Sequence, residues 1–121
     1  NLYGPTDLTT DIATSNGAVL KFLGGKKFGD DPQLYRFASP ITHVTKDDPP
    51  TLILHGSIDS VVPIDQADLL AAKLKETGVP CEYDQIKGWP HTMDLDAAVN
   101  RHCIASMFEF FDKHLESAAD R

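Results

Sequence analysis

The sequence predicts an α/β fold, and three segments of its second half indicate it. Residues 51–55 form a short, continuous apolar run after Asp-Asp-Pro-Pro, which is typical of a strand buried on both faces. Residues 64–77 carry apolar side chains at helical spacing and are followed by Gly78 and Pro80, which end a helix. Residues 81–86 alternate polar and apolar side chains and indicate a second strand. A strand, a helix and a strand with short connections form a βαβ unit with parallel strands.

A long helix follows the second strand and completes a β-α-β-α unit over residues 51–121. Its predicted span is residues 96–115, and Asp94 and Asp96 lie where carboxylates favour the positive end of a helix. One face carries an apolar and aromatic stripe of Val99, Cys103, Met107, Phe110, Phe111 and His114. Two parallel strands alone do not make a stable core, because such strands belong to larger sheets covered on both faces. The pattern therefore predicts further strands outside this chain.

Residues 1–50 are less regular and are predicted to form loops and short helices. The stretch "YGPTDLTTD" is a turn-rich loop, residues 16–23 form one short helix, and "GGKKFGDD" is an exposed loop. Asp31 caps a second short helix over residues 32–37, which a Ser-Pro pair ends.

Composition limits the classes of function. Of the 121 residues, 41% are apolar and 24% charged, as in an ordinary globular domain. Eighteen acidic against eleven basic residues give a net charge of -7, which argues against a nucleic-acid partner and against an anionic membrane surface. No apolar stretch approaches the roughly 20 residues that a membrane span needs.

The chain has two cysteines, Cys81 at the start of the second strand and Cys103 about two turns into the last helix. If that helix runs antiparallel to the strand, the different rise per residue leaves the two Cα atoms about 12 Å apart. A disulfide needs Cα atoms within about 7 Å. We therefore expect two buried free thiols.

Two residues that can carry chemistry follow the two predicted strands. Asp59 lies just past the end of the first strand, and His91 lies just past the end of the second. Sites of open α/β sheets form outside the carboxyl ends of strands, and neighbouring strands are about 4.8 Å apart. A carboxylate bonded to one imidazole nitrogen fixes the tautomer and leaves the other nitrogen as a general base. Asp59 and His91 are therefore the candidate catalytic residues.

The segment "PPTLILHGSIDSVVPIDQADLLAAKLKETGVPCEYDQIKGWPH" resembles the C-terminal part of an α/β-hydrolase of the esterase/lipase class. It has an "HG..D..VP" acid turn and a "G..H" histidine turn, separated by one helix and one strand. The upstream "NLYGPTDL" and "ASPITHV" are similar to segments of bacterial carboxylesterases that include acetyl-xylan and feruloyl esterase relatives. The resemblance implies that Asp59 is the acid and His91 the base of a Ser-Asp-His triad. Thr92 follows His91 where many relatives have glycine.

The nucleophile of such a triad is missing from the sequence. In α/β-hydrolases the serine precedes the acid and the histidine, within a Gly-x-Ser-x-Gly elbow. No such pentapeptide occurs, and none of Ser15, Ser39 and Ser57 follows an apolar strand in this way. The oxyanion donors come from the same missing region. We therefore expect the chain to be the C-terminal portion of a larger hydrolase domain, and to be inactive alone.

The expected function of the parent protein is hydrolysis of a small-molecule carboxylic ester by acyl transfer. This chemistry needs no cofactor and no metal. Two alternatives stay open: a prolyl-oligopeptidase-like serine peptidase, which shares the acid and histidine arrangement, and a non-catalytic fragment that acts only by association.

Several other side chains lie close to the predicted site in the sequence. His55, at the end of the first strand, is expected to be structural or to line the site. Trp89 and Met93 flank His91 and are candidates for substrate binding, with plain packing as the alternative. A shared helix face without a further ligand favours packing over a metal site for His102, Cys103 and His114.

Association is the last expectation. Without the N-terminal half, one edge of the strand at residues 51–55 and part of the apolar stripe near residues 108–111 are uncovered, and such an edge recruits another chain. We expect the chain to pair with the missing N-terminal half or with a second copy, and not to be a stable monomer.

Overall fold

The computed structural model describes the backbone of residues 1–119 and the side chains of residues 1–115. Its regular elements, in chain order, are α1 (Asp11–Thr14), α2 (Gly17–Phe22), α3 (Pro32–Ala38), β1 (Thr51–Gly56), α4 (Asp65–Thr77), β2 (Cys81–Ile86) and α5 (Ala97–Ala119). Single 3-10 turns cover Pro40–His43 and Met93–Leu95. Within this described part, none of the helices has the length and apolar character that crossing a membrane requires.

The sheet has the predicted parallel βαβ arrangement. β1 and β2 pair in parallel, from Thr51 opposite Cys81 to Gly56 opposite Ile86. On the other side of β1, Leu2 forms a parallel bridge with Leu54. The first residues of the chain therefore occupy the position of a further strand next to β1.

β1 is buried on both faces, as its apolar run predicts. On one face Ile53 packs with a group of α4 and its C-terminal turn: Ala67, Leu70, Leu74 and Val79. On the other face Leu54 packs with Met93 and with Val99 and Cys103 of α5. The alternation of side chains along a strand thus supplies two separate cores, one under each helix.

The two cysteines are free thiols, as expected, but the reason is different. Cys81, which is half-buried, packs against the α4 face of the sheet, whereas the buried Cys103 packs against the α5 face. The sheet therefore lies between the two thiols, and this separation prevents a disulfide. Burial raises the pKa of both thiols.

The ends of α4 and α5 follow from local side chains. Gly78 adopts φ +79° after α4, and the N–H of the next residue, Val79, donates to Leu74 O at 2.9 Å. Asp96 caps α5, because its Oδ1 accepts from the N–H groups of Ala98 and Val99 at 2.8 and 3.1 Å. α5 continues to Ala119, four residues past its predicted end.

The stripe of α5 is only partly covered in the described side chains. Phe110 is buried with the residues near the start of the helix, but Phe111 is 51% exposed and its neighbour Phe108 is 66% exposed. Leu115 is also exposed. The second half of α5 therefore presents an apolar face to solvent.

Residues before β1 form a third small core, in which Leu8, Leu23 and Tyr35 are buried together. α2 and α3 lie where the sequence predicts them, with Asn16 and Asp31 as their N-caps. α1 was not predicted; it begins at Asp11, the last residue of the stretch interpreted as a turn-rich loop, and Thr10 caps it.

Gln66, which is buried in the first turn of α4, attaches the early loop of the chain to that helix. Its side-chain Oε1 accepts from the N–H groups of Thr6 and Asp7 at 2.9 and 2.8 Å, and its backbone carbonyl accepts from the Thr6 hydroxyl at 2.6 Å. A buried amide with these partners holds the early loop against α4.

Candidate active site

Asp59 and His91 lie in direct contact at the carboxyl edge of the sheet. The Nδ1 of His91 is 2.7 Å from Oδ2 of Asp59, although 32 positions separate the two residues in the chain. The carboxylate is fully buried, while the His91 side chain is 25% exposed. Adjacent parallel strands end at the same edge, so the turns that leave them bring the two side chains together.

The turn after β1 fixes the orientation of the Asp59 carboxylate. Oδ1 accepts hydrogen bonds from the backbone N–H groups of Val61 and Val62, at 2.8 and 2.9 Å. Burial by itself raises the pKa of Asp59, but the hydrogen bond from His91 and those two N–H groups outweigh it. The pKa of Asp59 therefore lies below its ordinary value, and the group is a carboxylate at neutral pH.

The tautomer of His91 follows from its partner. A carboxylate oxygen only accepts hydrogen bonds, so Nδ1 of His91 carries a hydrogen and donates it to Asp59. When the ring is neutral, Nε2 then bears a lone pair. Within the described part of the chain Nε2 forms no hydrogen bond, which leaves it able to accept a proton.

The histidine turn lies against the acid turn because Gly56 has no side chain. A Cβ at this position would lie 2.3 Å from Trp89 O and 2.7 Å from Pro90 O. The N–H of Ile58 donates to Trp89 O at 3.1 Å across the same contact. The glycine of the "HG..D" motif thus permits the close approach of the two turns.

The ring of Tyr3 supports the exposed side of His91. The two rings are 4.7 Å apart between centroids at an angle of 63°, an edge contact. The Tyr3 hydroxyl donates to Asp94 Oδ1 at 2.7 Å, and this bond is the main cause that raises the pKa of Tyr3 to about 12. The first segment of the chain is thereby joined to the turn that carries His91.

Backbone strain is concentrated around His91. Among the described residues, Tyr3 with φ +40° and Thr92 with φ +55° are the non-glycine residues with positive φ. Thr92 follows His91 at the position where the resemblance has glycine, and the structure shows that this position is left-handed. A non-glycine residue in this region costs about 1–2 kcal/mol, so the strain around His91 coincides with the candidate site.

The other candidates have different places. Met93 is 1% exposed and packs in the core beneath α5, and Trp89 is partly buried against the same cluster. The burial of Met93 favours packing, the alternative given for both residues. A half-exposed His102 pairs with Asp84 at 2.6 Å, and no metal-binding group of three or more His, Cys, Asp or Glu residues occurs among the described residues.

The described serines do not supply a nucleophile beside His91. Ser39 is buried and bonds to Leu8 N–H and to Tyr35 O, and the Ser57 hydroxyl accepts from Gly88 N–H. In residues 1–115 no serine hydroxyl is hydrogen-bonded to His91.

The contact of His55 with Asp59 was not predicted from the sequence. The His55 side chain is wholly buried, and its Nε2 is 2.8 Å from Val62 O and 3.3 Å from Asp59 Oδ2. Of the two expectations for it, structural or lining, neither included contact with the Asp59 carboxylate. Its position at the strand end, four residues before Asp59, is the one sequence signal of this contact.

A parallel β-α-β-α unit with an aspartate after the first strand and a histidine after the second is the arrangement of the α/β-hydrolase class. Residues 1–74 match the BD-FAE family, and the chain belongs to that family. The match includes Asp59 and ends before His91.

Several relatives and solved structures that the chain resembles are hydrolases. Esterase LipQ of Mycobacterium tuberculosis is 32% identical over 114 residues, which are 90% of this chain and 27% of LipQ. A truncated form of a carbohydrate esterase from gut microbiota superposes with a TM-score of 0.76 at 27% identity, over 93% of this chain and 40% of that one. A puromycin-hydrolysing peptidase of M. tuberculosis superposes with a TM-score of 0.63 at 26% identity, over 74% of this chain and 14% of that one. The chain thus spans about a quarter of the length of LipQ.

Proposed function

We propose that the intact protein is a carboxylic-ester hydrolase in which His91 is the catalytic base and Asp59 the acid that orients it. The observation that carries the proposal is the 2.7 Å contact between a buried carboxylate and the Nδ1 of a partly exposed imidazole. The similarity to an esterase over 90% of the chain supports it. The serine nucleophile and the oxyanion donors belong to the part of the domain that this chain does not contain.

Each of the two side chains has a defined task in acyl transfer. Nε2 of His91 takes the proton of the serine hydroxyl as the hydroxyl oxygen attacks the ester carbonyl, and returns it to the leaving alcohol. Asp59 holds the Nδ1 hydrogen and stabilises the imidazolium that forms. Because the carboxylate is buried and fixed by backbone N–H groups, it does this without reorganisation.

Substitution of the pair in the intact protein tests the proposal, with p-nitrophenyl acetate as substrate. Asp59→Asn and His91→Ala are each expected to lower kcat by about three orders of magnitude or more, while the melting temperature shows a folded protein. The chain offers a matched control in the exposed Asp84–His102 pair, which has a 2.6 Å contact of the same kind. Asp84→Asn and His102→Ala are expected to leave kcat unchanged.

Two results would contradict the assignment. One is an active Asp59→Asn protein together with loss of activity on substitution of Asp84 or Asp94. The other is turnover and fluorophosphonate labelling by the 121-residue chain alone, which is expected to hydrolyse the ester no faster than its own His91→Ala variant.

The similarity to the puromycin-hydrolysing peptidase supports a serine peptidase as the second candidate. An ester and an amide with the same aminoacyl group distinguish the two. We expect turnover of the ester with kcat/KM at least about a hundredfold above that of the amide, a difference of roughly 2.7 kcal/mol in activation free energy. Comparable turnover of the amide favours the peptidase.

We also propose that the remainder of the hydrolase domain covers the exposed half of α5. A groove of about 350 Å³ beside β1 is lined by apolar residues that include Leu2, Leu52, Leu54, Met107 and Phe111. Apolar side chains in a groove beside a strand edge are the surface that a further strand and helix would bury. Without that remainder, the chain is expected to pair with a second copy.

A further inference from the structure

His55 is a buried imidazole outside the proposed proton path. Its side chain has 0% exposure, and Nε2 lies 2.8 Å from Val62 O and 3.3 Å from Asp59 Oδ2. A carbonyl and a carboxylate only accept hydrogen bonds, so the hydrogen of His55 is on Nε2. Its Nδ1 has no hydrogen-bond partner among the described residues.

One residue, Val62, links His55 to the acid. The Val62 carbonyl accepts from His55, and the Val62 N–H donates to Asp59 Oδ1 at 2.9 Å. The same His55 nitrogen also faces Asp59 Oδ2, the oxygen that binds His91. His55 therefore contacts both Val62, whose N–H binds Oδ1, and the carboxylate oxygen Oδ2.

An apolar side chain would fill this site without leaving a buried nitrogen unpaired. An unpaired buried polar atom is unfavourable, so packing alone does not account for an imidazole here. An apolar side chain lacks the hydrogen-bond donor that His55 has at Nε2. We therefore attribute the role of His55 to the hydrogen bond that this donor makes.

We propose that His55 is a positioning residue for Asp59. Its Nε2–H bonds to the Val62 carbonyl at 2.8 Å and faces the carboxylate oxygen Oδ2 at 3.3 Å, and so sets the direction in which Asp59 receives Nδ1–H of His91. The proposal rests on the proposed function for its effect on catalysis, but its structural part concerns only the His55, Val62, Asp59 and His91 contacts.

The first test uses the unaltered intact protein, labelled with ¹⁵N. The imidazole nitrogen shifts at neutral pH are expected to show His55 as the Nε2–H tautomer, and His91 is expected to give a far-downfield Nδ1–H proton. A His55 ring protonated at Nδ1 instead of Nε2 overturns the proposal, and no variant is needed for this result.

The second test compares two amides of the same chemistry. The side-chain nitrogen of Gln reaches the position of Nε2, whereas that of Asn reaches only the position of Nδ1. His55→Asn is expected to lower kcat about 10- to 100-fold with little change in KM, and His55→Gln to retain kcat within about threefold. The downfield His91 proton is expected to persist with Gln and to be lost with Asn. The exposed His102, changed to Asn, is the control and should change neither.

The outcomes separate positioning from packing. If both variants lose stability equally but keep kcat and the His91 proton, His55 is a packing residue and the proposal fails. If His55→Asn does not fold, a His55→Gln protein that has lost the His91 proton overturns the proposal, and one that has kept it supports the proposal. Activity of Asp59→Asn would refute the proposed function, while the tautomer and the proton signal would still decide the role of His55.

Discussion

The two oxygens of the Asp59 carboxylate have different partners. Oδ1 accepts from the N–H groups of Val61 and Val62, and Oδ2 faces the imidazoles of His91 and His55. A buried charge is tolerated only where hydrogen bonds replace the water it has lost. The hydrogen bonds from His91, Val62 and Val61 outweigh the effect of burial, so the pKa of Asp59 is lowered.

The lowered pKa of Asp59 predicts how stability depends on pH. The ordinary pKa of an aspartate in an unfolded chain is about 3.9. The folded pKa of Asp59 lies below its ordinary value, so below about pH 5 the unfolded state binds more protons. The stability that Asp59 contributes is therefore present above that range and is lost as the pH falls through the folded pKa. Urea unfolding of the intact protein between pH 3 and 6 should show a steeper loss of stability than unfolding of Asp59→Asn.

The control for this measurement is Asp84→Asn, which removes an exposed carboxylate of the same histidine-paired type. It is expected to follow the pH dependence of the unaltered protein closely. Equal slopes for all three proteins would contradict the account of Asp59.

Sequence reasoning predicted the contact between Asp59 and His91 better than the contacts that support it. Asp59 and His91 could be predicted because each follows directly from the end of a recognisable strand. The Tyr3–Asp94 bond joins positions 91 apart, and the contact of His55 with Asp59 depends on how the acid turn closes. Such contacts are set by tertiary packing, for which the local sequence carries no periodic signal.

At the scale of elements, the segments with a local sequence signal were predicted, and those without one were missed. Local signals mark three of the elements: an apolar run for β1, helical spacing with a glycine stop for α4, and alternation of polar and apolar side chains for β2. All three lie within one residue of their predicted bounds. α1 has four residues and no room for a period, so only its Thr10 cap marks it. The end of α5 was missed because no glycine or proline follows its predicted last residue.

The close approach of β1 to the histidine turn gives a prediction at this scale. Gly56→Ala places a methyl group 2.3 Å from Trp89 O, so the backbone that carries His91 must move. We expect a loss of about 1–3 kcal/mol in the free energy of unfolding. The displacement should also lower kcat about a hundredfold, because an error of about 1 Å in a reacting group costs that much.

Gly17→Ala is the matched control for this change. A Cβ at Gly17 meets nothing within 4 Å, and the position is the first residue of α2. It is expected to leave kcat unchanged and stability unchanged or slightly higher, since alanine is the better helix former. A Gly56→Ala protein with the stability and kcat of the Gly17 variant would show that the two turns are not tightly packed.

At the scale of the whole molecule, the exposed apolar side chains are unequally distributed over the two faces of the sheet. Ile53, Ala67 and Leu74 are at most 2% exposed on the α4 face, whereas Phe108 and Phe111 on α5 are more than half exposed. Large exposed apolar side chains gathered on one face mark a surface that another chain covers. This asymmetry supports the proposal that the rest of the hydrolase domain belongs there.

The 121-residue chain alone is therefore expected to associate. Sedimentation equilibrium at low micromolar concentration should give a mass of at least two chains, and replacing Phe108 and Phe111 by serine should shift it toward one. Phe37 is 75% exposed but lies on α3, so Phe37→Ser serves as the control and should leave the mass unchanged. A monomer that melts cooperatively would show that the chain has a sufficient core of its own.

The bond from Tyr3 to Asp94 has a consequence for the order of folding. The contacts within the acid turn and within α4 join residues that are close in the chain, so they can form early. The His91 ring is held instead by Asp59, 32 positions away, and by the Tyr3 segment, about ninety positions away. Contacts between distant positions form late, because the intervening chain must lose its freedom first. A nascent or partly unfolded chain therefore has no oriented His91 ring, and the proton transfer that we propose for it becomes possible only when the first residues have docked beside β1.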